Sequence, residues 1–150
     1  MNLNIDDVKE KIKQIILRLG KREILAVGLF GSLARGDLDK RSDVDIFVIT
    51  EKEPSLRDQD ELYFTFSPLI SQFGRDITVL IYDINSLKKI PSWQTLNLLK
   101  DAYFVDDQGG IEETFKKILY KAQKHGIIYD DREKVFKLKD PKRLVFSFHD

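Results

Sequence analysis

The sequence predicts an α/β fold in which a small mixed β-sheet is flanked by helices. Three observations point there. Amphipathic stripes mark helices near both ends of the chain, short apolar runs of strand length lie between them, and the order is helix, strand, strand, helix, strand. A length of 150 residues suits one compact core. Ten Phe, five Tyr and one Trp supply its bulk, which excludes global disorder.

The elements follow in order. Asp6 to Leu19 reads as a helix, because Val8, Ile12, Ile15, Ile16 and Leu19 recur at the 3.6-residue period and Gly20 stops it. Glu23 to Phe30 is mostly apolar and fits a buried strand; Gly31-Ser32 breaks it, and Leu33-Ala34-Arg35 begins a short helix. Val44 to Ile49 is a second strand and Asp76 to Tyr82 a third. Between them lie an acidic loop and a helix ending near Phe73, with Pro68 as a kink or break. Ser92 to Lys100 reads as helical and Ala102 to Val105 as a short strand. Gly109-Gly110 punctuates the chain before an amphipathic helix from Ile111 to His125. Ile127 to Tyr129 and Val135 to Leu138, around the polar turn Asp130 to Glu133, read as a hairpin. Val145 to Phe148 reads as a last strand or a tail seeking a partner.

Composition excludes several functions. Without Cys there is no disulfide, no thiolate metal site and no cysteine nucleophile. The two histidines, His125 and His149, are too few for a histidine-rich zinc site and read as a helix-end and a tail residue. No apolar run approaches a membrane span and the N-terminus lacks secretory features, so a cytoplasmic protein is expected. Net charge is zero but segregated. Glu51 to Phe115 carries six basic and twelve acidic residues, whereas Lys116 to Arg143 carries ten basic and four acidic. Such blocks form a solvated surface, or a basic C-terminal face that meets an acidic partner or RNA. No aromatic RNA-binding signature accompanies the basic block, and direct nucleic-acid binding is not expected.

Chemistry concentrates between Val27 and Val48. A strand ending at Gly31-Ser32 before a helical turn leaves backbone N–H groups for a phosphate, and Gly31 lets it come close. In Asp43-Val44-Asp45 the two acids fall on one side of a strand whose continuation, Ile46 to Ile49, enters the core. Carboxylates that close repel unless a cation sits between them, and Mg2+ prefers such oxygens together with substrate phosphates. Asp76 heads the third strand and, if that strand is a neighbour, completes a three-carboxylate set of the kind two-metal phosphoryl transfer uses.

Gly31-Ser32, ten intervening residues and Asp43-Val44-Asp45 resemble the signature of the minimal nucleotidyltransferases, small members of the DNA polymerase beta superfamily. Asp76 is placed as that superfamily places its third carboxylate, and Leu98 to Val105 resembles the segment closing such domains. The resemblance covers Ile5 to Asp106. It implies a polymerase-beta-type nucleotidyltransferase fold, with residues 1–108 as the catalytic core. Residues 109–150 would be a C-terminal helix plus basic hairpin or tail, within the same domain or as a partner-binding extension. It also implies transfer of a nucleoside monophosphate, most often from ATP. Gly31 and Ser32 would hold the triphosphate, with Arg35 and Arg41 as flanking cations; Asp43 and Asp45 would bind both of two Mg2+ ions, and Asp76 would complete the site.

Family members of this size are similar to antitoxins encoded beside HEPN toxins, helical RNA-cutting proteins, and as a class they transfer AMP to a toxin tyrosine. A HEPN toxin is therefore the implied partner, with homo- or hetero-oligomers both open. Leu144 to Phe148 offers apolar anchors for that grip, or closes the core. The rivals are a small-molecule adenylyltransferase of the aminoglycoside-resistance kind and an antitoxin that binds without catalysis. The first lacks the expected helical acceptor region; the intact acid set argues against the second.

Overall fold

The computed structural model describes residues 3–19, 23–37, 42–90 and 93–139. The expected strand or tail at Val145 to Phe148, together with Arg41 and His149, lies outside them. Helix α1 (Ile5–Leu19) starts where the Asn4 side-chain oxygen accepts the backbone N–H groups of Asp6 and Asp7, and it buries Val8, Ile12, Ile15 and Leu19. Strand β1 (Ile24–Phe30) runs into the single-turn helix α2 (Gly31–Arg35), and β2 (Val44–Thr50) follows.

A crossover of two helices then leads to β3 (Ile77–Asp83). Helix α3 (Leu56–Phe66) begins where the Ser55 hydroxyl accepts the Asp58 N–H at 3.1 Å, and α4 (Leu69–Phe73) begins immediately after Pro68. The break expected at Pro68 is thus real, because proline cannot extend α3 but fits the start of α4.

Helix α5 (Ile84–Lys88), not anticipated from the sequence, starts on the Asp83 carboxylate, which accepts the Ser86 N–H at 3.0 Å. Burial opposes ionisation of Asp83, but the Ser86 hydroxyl, the backbone N–H groups of the cap and the Lys89 charge together outweigh it and lower its pKa. Helix α6 (Trp93–Asp101), strand β4 (Tyr103–Asp107) and helix α7 (Ile111–Lys124) come next. The Asp107 carboxylate accepts the N–H groups of Ile111 and Glu112 at 2.7 and 3.0 Å, fixing the entry to α7. The chain then forms the hairpin β5 (Ile127–Asp130) and β6 (Val135–Leu138).

The four-stranded sheet has the order β3-β2-β1-β4, with β2 parallel to β3 and β1 antiparallel to both β2 and β4. The hairpin forms a separate two-stranded sheet. Alternation along the strands makes two cores. Val27, Leu29, Val44, Ile46, Val48 and Ile77 face α1, α3 and α4, whereas Ala26, Phe30, Phe47 and Ile49 face α5, α6, α7 and the hairpin. Phe47 anchors the second core. Its ring lies over Gly28 on the adjacent strand, where a Cβ would collide with it, and meets Phe104 and Phe115 at centroid distances of 5.1 and 5.8 Å. Among the described residues no helix is long and apolar enough to cross a membrane.

Candidate active site

Antiparallel pairing sets Phe30, the last residue of β1, beside Asp45. Gly31 follows at φ +72°, in the left-handed region, and so lies against the Asp45 carboxylate. A Cβ at Gly31 would strike Asp45 Oδ2. Glycine is therefore required twice, by backbone conformation and by close approach to an acid. Gly31→Ala is expected to cost about 1–3 kcal/mol of stability. It should also lower transfer by about a hundredfold, because the acid must move. Urea denaturation and a transfer assay would check both, and wild-type values in either would contradict this reading.

Asp43 and Asp45 share one face at the mouth of β2, the face on which Phe47 is buried two residues further along. Parallel pairing of Asp45 with Thr78 brings a hydroxyl to the acids, with Thr78 Oγ1 at 3.5 Å from Asp43 Oδ2. Burial pushes the Asp45 carboxyl above its ordinary range. The Thr78 hydroxyl opposes that rise, the Asp43 charge adds to it, and Arg35 opposes it.

Asp76 stands one residue before β3, and the Val44–Ile77 register sets it level with Asp43. Its carbonyl accepts the Val44 N–H at 2.9 Å. The two strands are thus neighbours, and the three acids gather at one end of the sheet. Among the described residues, however, no three His, Cys, Asp or Glu side chains are drawn close enough to hold a metal ion.

Ser32 is half-buried on α2, its carbonyl accepting the Asp37 N–H at 2.9 Å. Arg35, at the end of the same turn, is already engaged. Its Nη1 donates to Asp101 Oδ2 at 3.1 Å and its Nε to Asp37 Oδ2 at 3.3 Å. Burial works against its charge, and these two bonds outweigh it, so its pKa is raised. The second oxygen of Asp101 accepts from Lys100 Nζ at 3.1 Å. Sequence reasoning missed Asp101, although a signal exists: an acid in the last turn of a helix opposes the helix dipole and calls for a tertiary reason. Thr78, two residues after Asp76 and on its side of the strand, was missed as well.

The fold and this site together define a nucleotidyltransferase. The chain belongs to the nucleotidyltransferase domain family, whose model matches residues 9–139. Two Methanocaldococcus jannaschii proteins, both named "Putative protein adenylyltransferase", are similar to it. One is 30% identical over 80 residues, covering 53% of this chain and 81% of that protein. The other is 32% identical over 95 residues, covering 63% and 94%. Solved structures share the fold. A chain of a toxin–antitoxin crystal structure with AMP-PNP superposes with a TM-score of 0.57 at 20% identity, over 78% of this chain and 87% of that one. A chain of a complex between the tri-AMPylated Shewanella oneidensis HEPN toxin and its MNT antitoxin gives 0.54 at 18% identity, over 81% and 88%.

Enzymes of this family use a divalent ion such as Mg2+. The donors here fit it. They are hard carboxylate and hydroxyl oxygens, and Asp45, half-buried beside a second acid, is ionised at a cost that a cation would offset.

Proposed function

We propose that the chain transfers AMP from ATP, with two Mg2+ ions, to a tyrosine hydroxyl of a partner protein, a HEPN-type toxin, and so acts as its antitoxin. The observation that carries the reading is the pair Asp43 and Asp45 at the mouth of β2, set against the Gly31 turn. The similarity to proteins named as protein adenylyltransferases supports the chemistry. The toxin–antitoxin neighbours, one with AMP-PNP and one with an AMPylated toxin, support the nucleotide and the partner.

In this mechanism Asp43, Asp45 and Asp76 would hold the ions, which neutralise the triphosphate and acidify the attacking hydroxyl when bound. The Gly31–Ser32 turn receives the triphosphate where it has no Cβ to obstruct it. Arg35 adds positive charge beside the same turn. The acceptor oxygen forms a bond to the α-phosphorus, the bond from that phosphorus to the bridging oxygen breaks, and pyrophosphate leaves. The hydroxyl proton passes to the Asp76 carboxylate. Holding the hydroxyl in line supplies much of the rate, and the partner brings that alignment.

The test is incubation with labelled ATP, Mg2+ and the purified product of an adjacent HEPN gene, followed by peptide mass spectrometry. An added AMP on a tyrosine of the partner is expected. Label on an aminoglycoside with the partner unmodified would replace this reading with small-molecule transfer. Full toxin neutralisation by an Asp43→Asn, Asp45→Asn double variant would replace it with binding alone.

A further inference from the structure

Beside the carboxylate site, α2, the end of α6 and the β5–β6 hairpin enclose an open cleft of about 490 Å³ lined by Arg35, Asp37, Lys100, Tyr129 and Lys134. We propose that this cleft receives the β- and γ-phosphates of the nucleoside triphosphate, held by Lys100 and Lys134 alongside Arg35. The inference rests on the nucleotidyl-transfer reading and gives the C-terminal hairpin a place in the substrate site.

Position comes first. Arg35 lies one helical turn beyond Gly31 and close enough to Asp45 for its charge to be felt there. Arg35 is thus common to the cleft and to the surroundings of the acids, and a phosphate chain whose α-phosphate is at the carboxylates reaches the cleft past that side chain.

Charge comes next. Three cations and one anion line the cleft, in a molecule with no net charge. Two of the cations are aimed rather than loose. Asp101, itself nearly buried, spends one oxygen on Arg35 and the other on Lys100. Lys100 Nζ also sits 4.1 Å from the centre of the Tyr129 ring, which is braced edge-on against Phe136. Burial disfavours the Lys100 charge, but the Asp101 bond and Tyr129 outweigh it, so the ammonium persists.

Lys134 supplies an independent observation. It sits at φ +57° in the hairpin turn, its N–H donating to the Asp130 carbonyl at 2.7 Å. Glycine or asparagine suits that conformation better, so the local backbone favours losing the lysine. Lys134 makes no ion pair among the described residues, although its hairpin neighbour Lys137 is bound to Asp130. A strained residue with an uncommitted ammonium, lining the same cleft as two organised cations, suits a polyanion arriving from solvent.

The test is calorimetry with Mg2+ and three probes, ATP, AMP and inorganic pyrophosphate, on the full chain and on Lys134→Gly and Lys100→Gln. Lys134→Gly should melt at or above the wild-type temperature, since glycine relieves the positive φ. Both variants should bind ATP and pyrophosphate roughly tenfold more weakly, or worse, with AMP binding unchanged. If the wild type binds ATP and the variants bind it equally well, the cleft assignment is overturned while nucleotidyl transfer stands. AMP weakened as much as ATP overturns it too, because the cleft would then serve the nucleoside end. A wild type that binds neither ATP nor pyrophosphate overturns both readings.

Discussion

Replacing either Asp43 or Asp45 with Asn is expected to abolish transfer, by about a thousandfold or more, and to leave the fold standing. The magnitude follows from the proposed role of each acid as a charged metal ligand, where several kcal/mol of transition-state stabilisation would be generated. The second half of the expectation separates a catalytic acid from a structural one. Asp45 is half-buried, and its carboxyl is raised first by that burial and further by the charge of Asp43. Its ionised form is therefore a liability to the metal-free protein. Removing one charge should stabilise that protein by about 0.5–1 kcal/mol, a figure kept small because solvent screens the exposed side of the pair. Transfer assays with Mg2+ and thermal melts in EDTA check the two halves. Retention of a tenth of the activity would remove the acids from the catalytic machinery, and a melting point lower by many degrees would make them structural.

A change two residues further along the same strand acts through stability instead. Phe47→Ala is expected to cost about 3–5 kcal/mol, the range for emptying a fully buried aromatic position. Domains of this size are stable by only about 5–15 kcal/mol, so the variant would sit near the edge of unfolding at physiological temperature. Nothing can refill the space cheaply. Gly28 has no side chain to offer, and Phe104 and Phe115 are held in edge-on contact with each other at 5.1 Å by β4 and α7. Chemical denaturation followed by fluorescence would measure the loss. A cost below about 1 kcal/mol would mean that the second core is plastic.

The parts of this molecule written in local pattern were legible in the sequence. Stripes such as Val8, Ile12, Ile15 and Leu19 in α1, or Ile111, Phe115, Ile118 and Ala122 in α7, repeat at the helical period and are buried as that period requires. The acids of β2 could be assigned to one face because strand alternation is rigid. The reason for Gly31 was less visible. Its turn chemistry could be read, but its contact with Asp45 depends on the pairing of two strands. Helix α5 left no signal, since five residues are too few to display a period. Asp101 joins Arg35 across 66 positions, and Lys100 meets Tyr129 across a whole helix, so neither contact has a signature in neighbouring residues. The cleft between them is a product of tertiary packing alone.

The Phe47–Phe104–Phe115 cluster also governs the order in which the molecule can assemble. Strands β1 and β2 are close along the chain and can pair early, because closing a short loop costs little conformational entropy. Their second face is covered in part by α5 and α6, and Phe47 gains its aromatic partners only when Phe104 and Phe115 arrive from the far half of the sequence. The strand that carries the acids is consequently among the first to pair, while its Phe47 face is closed in full only later. During synthesis Phe47 precedes its aromatic partners by more than fifty residues, and the incompletely covered face exposes the nascent chain to aggregation for that interval.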